Sequence, residues 1–243
     1  MIEVRRADER HRGGDPEAGI DSRHAFSFGP HYDPDNLRFG ALIACNEERL
    51  APGAGFAEHP HSHTEIVTWV TEGELTHRDS TGRASVVRPG DVQHLSAAAG
   101  VRHSERNEGA EPLAFVQMWL APRDSGGEPS YEVVRDLAGP YAVPGAGATL
   151  RVLRPAAGER TALPDAPLRY VHVVRGEVRL ADGTPGSGDT PGPGDTPGPG
   201  DTPGPGDTLG PGDSARITEA RGVELAGVTQ AEVLLWQLEP VSP

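Results

Sequence analysis

Cysteine is almost absent from this sequence of 243 residues, with Cys45 the sole example. Neither an intrachain disulfide nor a thiolate metal cluster can therefore form, and a buried, inert thiol is expected. Long apolar runs are also missing, which excludes a membrane-spanning helix. The opening residues, MIEVRRADER, lack the apolar core of a signal peptide, so we expect a cytoplasmic protein.

Basic residues are in the minority. Lys and Arg number 22 against 36 Asp and Glu, and the formal net charge is −14. Such a charge repels a phosphate backbone, so no direct nucleic-acid contact is expected. A protein partner is compatible with the charge, and nothing in the sequence points to membrane binding.

Helical periodicity is nearly absent as well. Short runs rich in Val, Leu and aromatic residues, such as EIVTWVTEGELTHRD, PLAFVQMWL and AEVLLWQL, are separated by Gly, Pro or Asp turns. Runs of this kind are typical of strands in a barrel or sandwich. The sequence therefore predicts an all-β fold.

Two passages look like copies of one unit. WVTEGELTHRDSTGRASVVRPGDVQHLSA and the later HVVRGEVRLADG with LGPGDSARITE show the same succession of strand, Gly turn, strand and Pro-Gly-Asp turn. An internal repeat of this size indicates two similar β domains in tandem. We expect an N-terminal domain at residues 1–128 and a C-terminal domain at residues 129–243.

The second copy carries an insertion made of four hexapeptides, GDTPGP three times and GDTLGP once, at residues 188–211. This composition cannot bury apolar surface, so an exposed, mobile loop at residues 185–212 is expected. The alternative is an array of Asp-bearing turns that binds Ca²⁺.

Residues 59–65 read HPHSHTE. On a β-strand, side chains two positions apart share a face, so His59, His61, His63 and Glu65 would point to one side. A solvent-facing polar strand is one explanation. The IVTWV run that follows suggests instead that the strand enters a core.

Downstream, GVRHSERN places His103 and Glu105 on one strand face in the same way. Buried imidazoles and carboxylates that face each other are costly unless a cation lies between them. The two segments together predict a metal site.

The pattern of these residues resembles the cupin superfamily. Gly53, His59, His61, Glu65 and Gly73 follow the spacing of the first cupin motif, and GVRHSERN resembles the second. More narrowly, residues 21–120, with HPH and GVRHSE, resemble pirin, a protein of two cupin domains. The resemblance implies two tandem cupin domains, that is, double-stranded β-helices of the jelly-roll type.

In pirins the metal is typically iron. Carried over position by position, the implied ligands are His59, His61, His103 and Glu105. Glu65 stands where many other cupins keep a carboxylate ligand and is the rival to Glu105. Three imidazoles and one carboxylate suit Fe(II) and leave about two coordination positions open, while Mn, Ni, Zn and Cu stay as alternatives.

The resemblance also implies an activity, because some pirins resemble quercetinases. The expected reaction is 2,3-dioxygenation of a flavonol such as quercetin by O₂. The residues expected to serve catalysis are Glu105, Glu65 and the atypical His63. The alternatives are an iron-dependent regulatory or interaction protein without turnover, and another cupin enzyme such as an isomerase.

The second copy lacks the ligands. Alignment of its turn glycines with those of the first copy places apolar residues at all five positions, namely Ala162, Pro164, Leu168, Leu225 and Gly227. We therefore expect a metal-free C-terminal cupin domain.

Overall fold

The computed structural model describes residues 1–124, 126–181 and 208–240. Most of the hexapeptide tract, including the loop expected at residues 185–212 up to residue 207, lies outside the described residues. Within the described ranges, the chain contains no helix with the length and hydropathy that a membrane crossing requires.

Strands dominate the described chain, joined by turns and two short 3-10 segments, Ala7–Glu9 and Pro144–Ala146. The strands up to residue 134 are β1 (Ile2–Arg5), β2 (His11–Asp15), β3 (Ile20–His24), β4 (Leu42–Leu50), β5 (Gly55–His61), β6 (Glu65–Glu72), β7 (Leu75–Asp79), β8 (Ala84–Val87), β9 (Val92–Ser96), β10 (Val101–Arg106), β11 (Leu113–Leu120) and β12 (Ser130–Val134). Those after it are β13 (Tyr141–Val143), β14 (Ala148–Leu153), β15 (Arg160–Ala162), β16 (Leu168–Arg175), β17 (Val178–Ala181), β18 (Thr208–Leu209), β19 (Ser214–Thr218), β20 (Glu224–Gly227) and β21 (Glu232–Leu238). The predicted all-β fold is confirmed.

The described strands form four antiparallel sheets. A first unit combines a seven-stranded sheet, β12-β9-β6-β11-β4-β3-β2, with a four-stranded sheet, β5-β10-β7-β8. A second unit combines a six-stranded sheet, β1-β19-β16-β21-β14-β13, with a four-stranded sheet, β15-β20-β17-β18. We call the larger sheet of each unit its inner sheet and the four-stranded one its outer sheet.

The two inner sheets pack against each other. Trp69 and Met118 of the first unit share one apolar cluster with Tyr170, Leu234 and Trp236 of the second. The other face of each inner sheet packs on the outer sheet of its own unit. Burial on both faces explains why β6 and β21 appear as continuous apolar runs in the sequence.

The repeat is visible in the turns. Gly73, between β6 and β7, has φ +73°, and Gly176, between β16 and β17, has φ +74°. In both turns the backbone of another strand connection approaches so closely that a Cβ would lie within about 2.5 Å of a carbonyl oxygen, that of Pro112 or Gln230. The two glycines therefore hold equivalent turns in the two units.

Near each end of the predicted first domain, a strand belongs to a sheet of the other unit. β1 pairs with β19 in the inner sheet of the second unit, with Val4 opposite Ala215. β12 pairs with β9 in the inner sheet of the first unit, with Glu132 opposite His94. The division at residue 128 stays a prediction.

Candidate metal centre

The outer sheet of the first unit positions the histidines. Its central strand β10 lies between β5 and β7, so His103 is opposite His59 on one side and Asp79 on the other. The register with β5 shifts between His103 and Glu105. A bulge of this kind re-aims the side chains beside it, and it occurs here at the two residues predicted on β10.

Three of the predicted ligands come together. The candidate ligand atoms of His59, His61 and His103 all lie within 4.8 Å of one another, and Nε2 of His103 is 3.1 Å from Nε2 of His59. The ring of His61 packs edge-on against both. Nε2 of His61 is buried and has no hydrogen-bond partner among the residues that the structure describes. An orphaned buried nitrogen beside two facing imidazoles is costly for a protein and fits a cation held among the rings.

The rings are suited to metal binding in their protonation state. Burial, with the neighbouring histidines, lowers the pKa of His61 to about 4, and burial also lowers that of His103 to about 4. Both are therefore neutral near pH 7. Nδ1 of His59 lies 2.7 Å from the carbonyl oxygen of Ala57, to which it can only donate, and this leaves the lone pair of a neutral ring on Nε2.

Glu105 is fully buried beside this cluster. Gln93 donates its amide to Oε1 at 2.8 Å, and Gln117 donates to Oε2 at 2.7 Å. Burial alone would raise the pKa of this carboxyl, but His103 and the two amides hold it below its usual range. The carboxylate belongs to a group of potential metal ligands with His103 and His77. His59 and His61 belong to a second group, which also contains His103.

The predicted common face of His59, His61, His63 and Glu65 is wrong, because the strand ends at His61. His63 lies exposed in the turn between β5 and β6, with φ +54°. Glu65 begins β6 and is buried, with Oε2 2.8 Å from Nε2 of His94 and Oε1 accepting from Ser96 at 3.2 Å. Within the described ranges, neither His63 nor Glu65 belongs to a group of potential metal ligands.

Several polar residues of the site were missed in the sequence. His77, Gln93 and Gln117 surround His103 and Glu105, and all three are buried. Gln117 is the single polar residue in the apolar run LAFVQMWL, which is a usable signal for a buried polar role. His77 lies two positions after the buried Leu75 in LTHRD and therefore shares its strand face. Only the pairing of β7 with β10 shows what His77 faces.

A surface cleft lies beside the cluster and touches it at His61. It has a volume of about 360 Å³ and is lined by His61 together with Pro60, Ser62, Ser80 and residues 100–102. The inner side of His61 packs on Trp119, with ring centroids 4.9 Å apart. Of the three clustered histidines, His61 is the one that lines this cleft.

The second unit has a different interior at the corresponding place. Leu225 of β20 is buried in an apolar cluster with Val171, Val178 and Val233. Across from it, β15 contributes Thr161, the backbone partner of Leu225. Apolar packing occupies the position that imidazoles occupy in the first unit.

Comparisons with known proteins identify the family. The sequence matches the family model described as Pirin over residues 4–120. A Mycobacterium tuberculosis protein named "Putative quercetin 2,3-dioxygenase" is 40% identical over 203 residues, covering 75% of this chain and 82% of that protein. The Escherichia coli K12 protein named quercetin 2,3-dioxygenase is 42% identical over 133 residues, covering 54% of this chain and 57% of that protein.

Solved structures give the same result. The crystal structure of bacterial pirin YhhW from Escherichia coli, in complex with nickel(II), is 29% identical with a TM-score of 0.83 and covers 99% of this chain and 100% of that one. A quercetin 2,3-dioxygenase from Acinetobacter baumannii, 20% identical with a TM-score of 0.73, covers 98% of this chain and 86% of that chain and supports the fold alone. The predicted fold of two tandem cupin domains is confirmed, and the chain belongs to the pirin family.

Proposed function

We propose that this protein is an Fe(II)-dependent dioxygenase of flavonols such as quercetin, with the metal held by His59, His61, His103 and Glu105. The observation that carries the proposal is the convergence of three imidazoles on one point, where the buried Nε2 of His61 has no partner within the described part of the chain. The names of the relatives, quercetin 2,3-dioxygenase at 40% and 42% identity, support the substrate class.

Iron is one of several ions that this donor set could hold. Neutral imidazoles with a carboxylate suit Fe(II), Ni(II) and other first-row metals, and nickel(II) is the ion in the related pirin YhhW structure. When bound, Fe(II) supplies the one-electron chemistry that the reaction of a flavonol with O₂ requires. A small molecule is proposed to approach the metal from the cleft that His61 lines.

The residues of the chain divide the remaining tasks. Glu105 is ionised and buried, and its two oxygens are held by amides, so it is suited to balance the charge of a bound cation. The flavonol 3-hydroxyl must lose its proton, and Glu105, Glu65 and His63 are the proposed acceptors. His63 is exposed beside Ser62, which lines the cleft, whereas both oxygens of Glu65 are already in hydrogen bonds.

The experiment that tests the function is turnover of quercetin by protein loaded with a single metal at a time. Consumption of one O₂ per flavonol in air, and none without O₂, is the expected result for the Fe(II) form. In Glu105→Gln, turnover should fall much further than flavonol affinity, since the charge is lost and the size is kept. His63→Ala shows whether that side chain takes the proton or merely borders the cleft.

Metal-loaded wild type that consumes no O₂ with any flavonol would contradict the dioxygenase. A regulatory protein without turnover, or another cupin enzyme such as an isomerase, would then be the better assignment. The proposed location remains the cytoplasm.

A further inference from the structure

The ring of His103 uses both of its nitrogens. Nε2 faces Nε2 of His59 at 3.1 Å, and Nδ1 faces Nδ1 of His77 at 3.4 Å. His77 is fully buried on β7, and its other nitrogen, Nε2, lies 3.3 Å from Oδ2 of Asp79. A chain of hydrogen bonds therefore runs from the histidine cluster through His77 to a buried carboxylate.

The direction of the protons in this chain can be worked out from Asp79. Burial raises the pKa of this carboxyl, but hydrogen bonds from Thr81, His77 and Arg83 outweigh burial and keep it ionised. An ionised carboxylate only accepts, so Nε2 of His77 carries the hydrogen. The neutral ring of His77 then has its lone pair on Nδ1, and Nδ1 of His103 must donate to it.

The consequence appears at the opposite side of His103. Once Nδ1 holds the hydrogen, the lone pair of the neutral ring is on Nε2, which faces His59 and the cluster. With the opposite tautomer, a hydrogen on Nε2 would point into the cluster and block a cation. The tautomer of His103 thus depends on a residue two steps away.

Both members of the chain are held in place. Oδ1 of Asp79 accepts from the backbone N–H groups of Thr81 at 2.8 Å and Arg83 at 3.2 Å, which leaves Oδ2 for His77. The ring of His77 stacks on Tyr131 with centroids 4.2 Å apart and planes 13° from parallel. Neither side chain can turn without losing these contacts.

We propose that His77 and Asp79 are a positioning pair that sets His103 in its metal-binding tautomer. The proposal rests on the ligand role of His103 within the proposed function. The pair acts through His103 and does not touch the substrate. Outer hydrogen bonds of this kind typically change metal affinity 10- to 100-fold.

The sharpest variant is Asp79→Asn. Oδ1 at this position accepts from two backbone N–H groups, so the amide NH₂ must occupy the place of Oδ2 and donate to His77. His77 would then carry its hydrogen on Nδ1, and His103 would be forced to carry its own on Nε2. Replacement of this one carboxylate oxygen by NH₂ should therefore reverse the direction of both hydrogen bonds between Asp79 and His103.

Two further variants are His77→Phe and His77→Asn. Phenylalanine keeps the stack on Tyr131 and removes the acceptor, whereas the asparagine oxygen can take the place of Nδ1 and restore it. Asp91→Asn is the matched control, because Asp91 is a buried carboxylate that also accepts from backbone N–H groups, those of Arg88 and Asp136. In the described ranges it has no histidine partner.

The experiment measures two quantities besides activity. Long-range ¹H–¹⁵N spectra of the metal-free protein give the tautomer of His103, and competition with a chromophoric chelator gives the affinity for Ni(II) and for Fe(II). Asp79→Asn should move the hydrogen to Nε2 of His103 and weaken affinity about 10- to 100-fold. His77→Phe should weaken affinity similarly, while His77→Asn and Asp91→Asn stay within a factor of about three of wild type.

Three results would overturn the positioning role. The first is an unchanged tautomer of His103 in Asp79→Asn, and the second is equal affinity in all variants. The third is a second ion per chain that His77→Phe removes, because His77 with His103 and Glu105 would then be a ligand set of its own. Quercetin turnover enters none of these readouts, so its absence would count against the dioxygenase alone.

Discussion

Gln117 donates its side-chain amide to Oε2 of Glu105 at 2.7 Å, and it accepts the indole N–H of Trp119 at 3.0 Å. Gln93 holds Oε1 in the same manner and accepts the hydroxyl of Tyr131 at 3.0 Å. Each oxygen of the buried carboxylate thus has an amide donor whose own orientation is fixed by an aromatic residue. The donors replace the water that a charge would lose on burial.

Gln117→Leu should lower the free energy of unfolding by about 1–3 kcal/mol, because one oxygen of Glu105 loses its donor in the interior. Metal affinity should fall as well, since the carboxylate is less well held. Urea denaturation and chelator competition measure the two effects. Gln237→Leu is the control, because Gln237 lies on β21 in the second unit and accepts from Arg151 at 2.8 Å. Equal losses in both variants would contradict a special role for Gln117.

His61→Ala and His103→Ala should each reduce bound metal from about one ion per chain to nearly none. Three imidazoles converge on one point, and the two that remain, with Glu105, would hold an ion weakly. Metal analysis of the purified variants measures the content, and circular dichroism checks that the sheets persist. His63→Ala should keep its metal, because His63 follows the end of β5. Wild-type metal content in either ligand variant would show that the assignment is wrong.

Glu48 predicts a pH dependence of stability. It is buried on β4 and accepts from the hydroxyl of Ser22; burial, with the charge of Glu105, raises its pKa to about 8 from 4.5. Between pH 4.5 and 8, the folded state therefore keeps a proton on Glu48 that the unfolded state has already released. This contribution to stability is complete below pH 4.5 and is lost as the pH rises to 8.

Glu48→Gln should remove this loss. The variant should be more stable than wild type at pH 8–9, by at most ~5 kcal/mol at 1.36 kcal/mol per pKa unit, and the difference should shrink towards pH 5. Thermal denaturation across pH 5–9 measures it. A difference between variant and wild type that stays constant with pH would contradict the assignment of this titration to Glu48.

Deletion of residues 188–205 should leave the fold intact. β17 and β18 pair antiparallel on either side of the tract, with Val178 opposite Leu209, so the tract connects a hairpin. Shortening that connection from residues 182–207 by three hexapeptides reduces loop-closure entropy by about 1 kcal/mol, and Tm should rise by about 2–4 °C. Metal content should stay unchanged. A marked fall in Tm would show that the repeat contributes packed structure.

The sequence was sufficient to predict the β class, the internal repeat and the histidines of β5 and β10. Those features are local, because turn glycines and alternation are visible within a few residues. The alternation of HPHSHTE predicts one strand face for His63 and Glu65, whereas a turn with the left-handed backbone of His63 separates them from β5. Glu65 then begins a new strand and binds His94.

The partners of the site residues depend on which strands are neighbours. The roles of His77 and Asp79 follow from the pairing of β7 with β10. Gln93 and Gln117 lie on β9 and β11, two strands of the inner sheet. Such pairings are long-range and leave no periodic mark in the sequence. The strands that cross between units were unpredictable for the same reason, because an apolar run fits either inner sheet.

The pairing of β1 with β19 has a consequence during synthesis of the chain. Val4 lies opposite Ala215, and these two residues are 211 positions apart. At a ribosomal rate of about 5–20 residues per second, β1 waits roughly 10–40 s for its partner strand. An unpaired strand edge invites association with other chains. The alternation of Glu3 and Arg5 with Ile2 and Val4 gives the unpaired strand a charged side chain at every second position, a feature that disfavours pairing between strand edges.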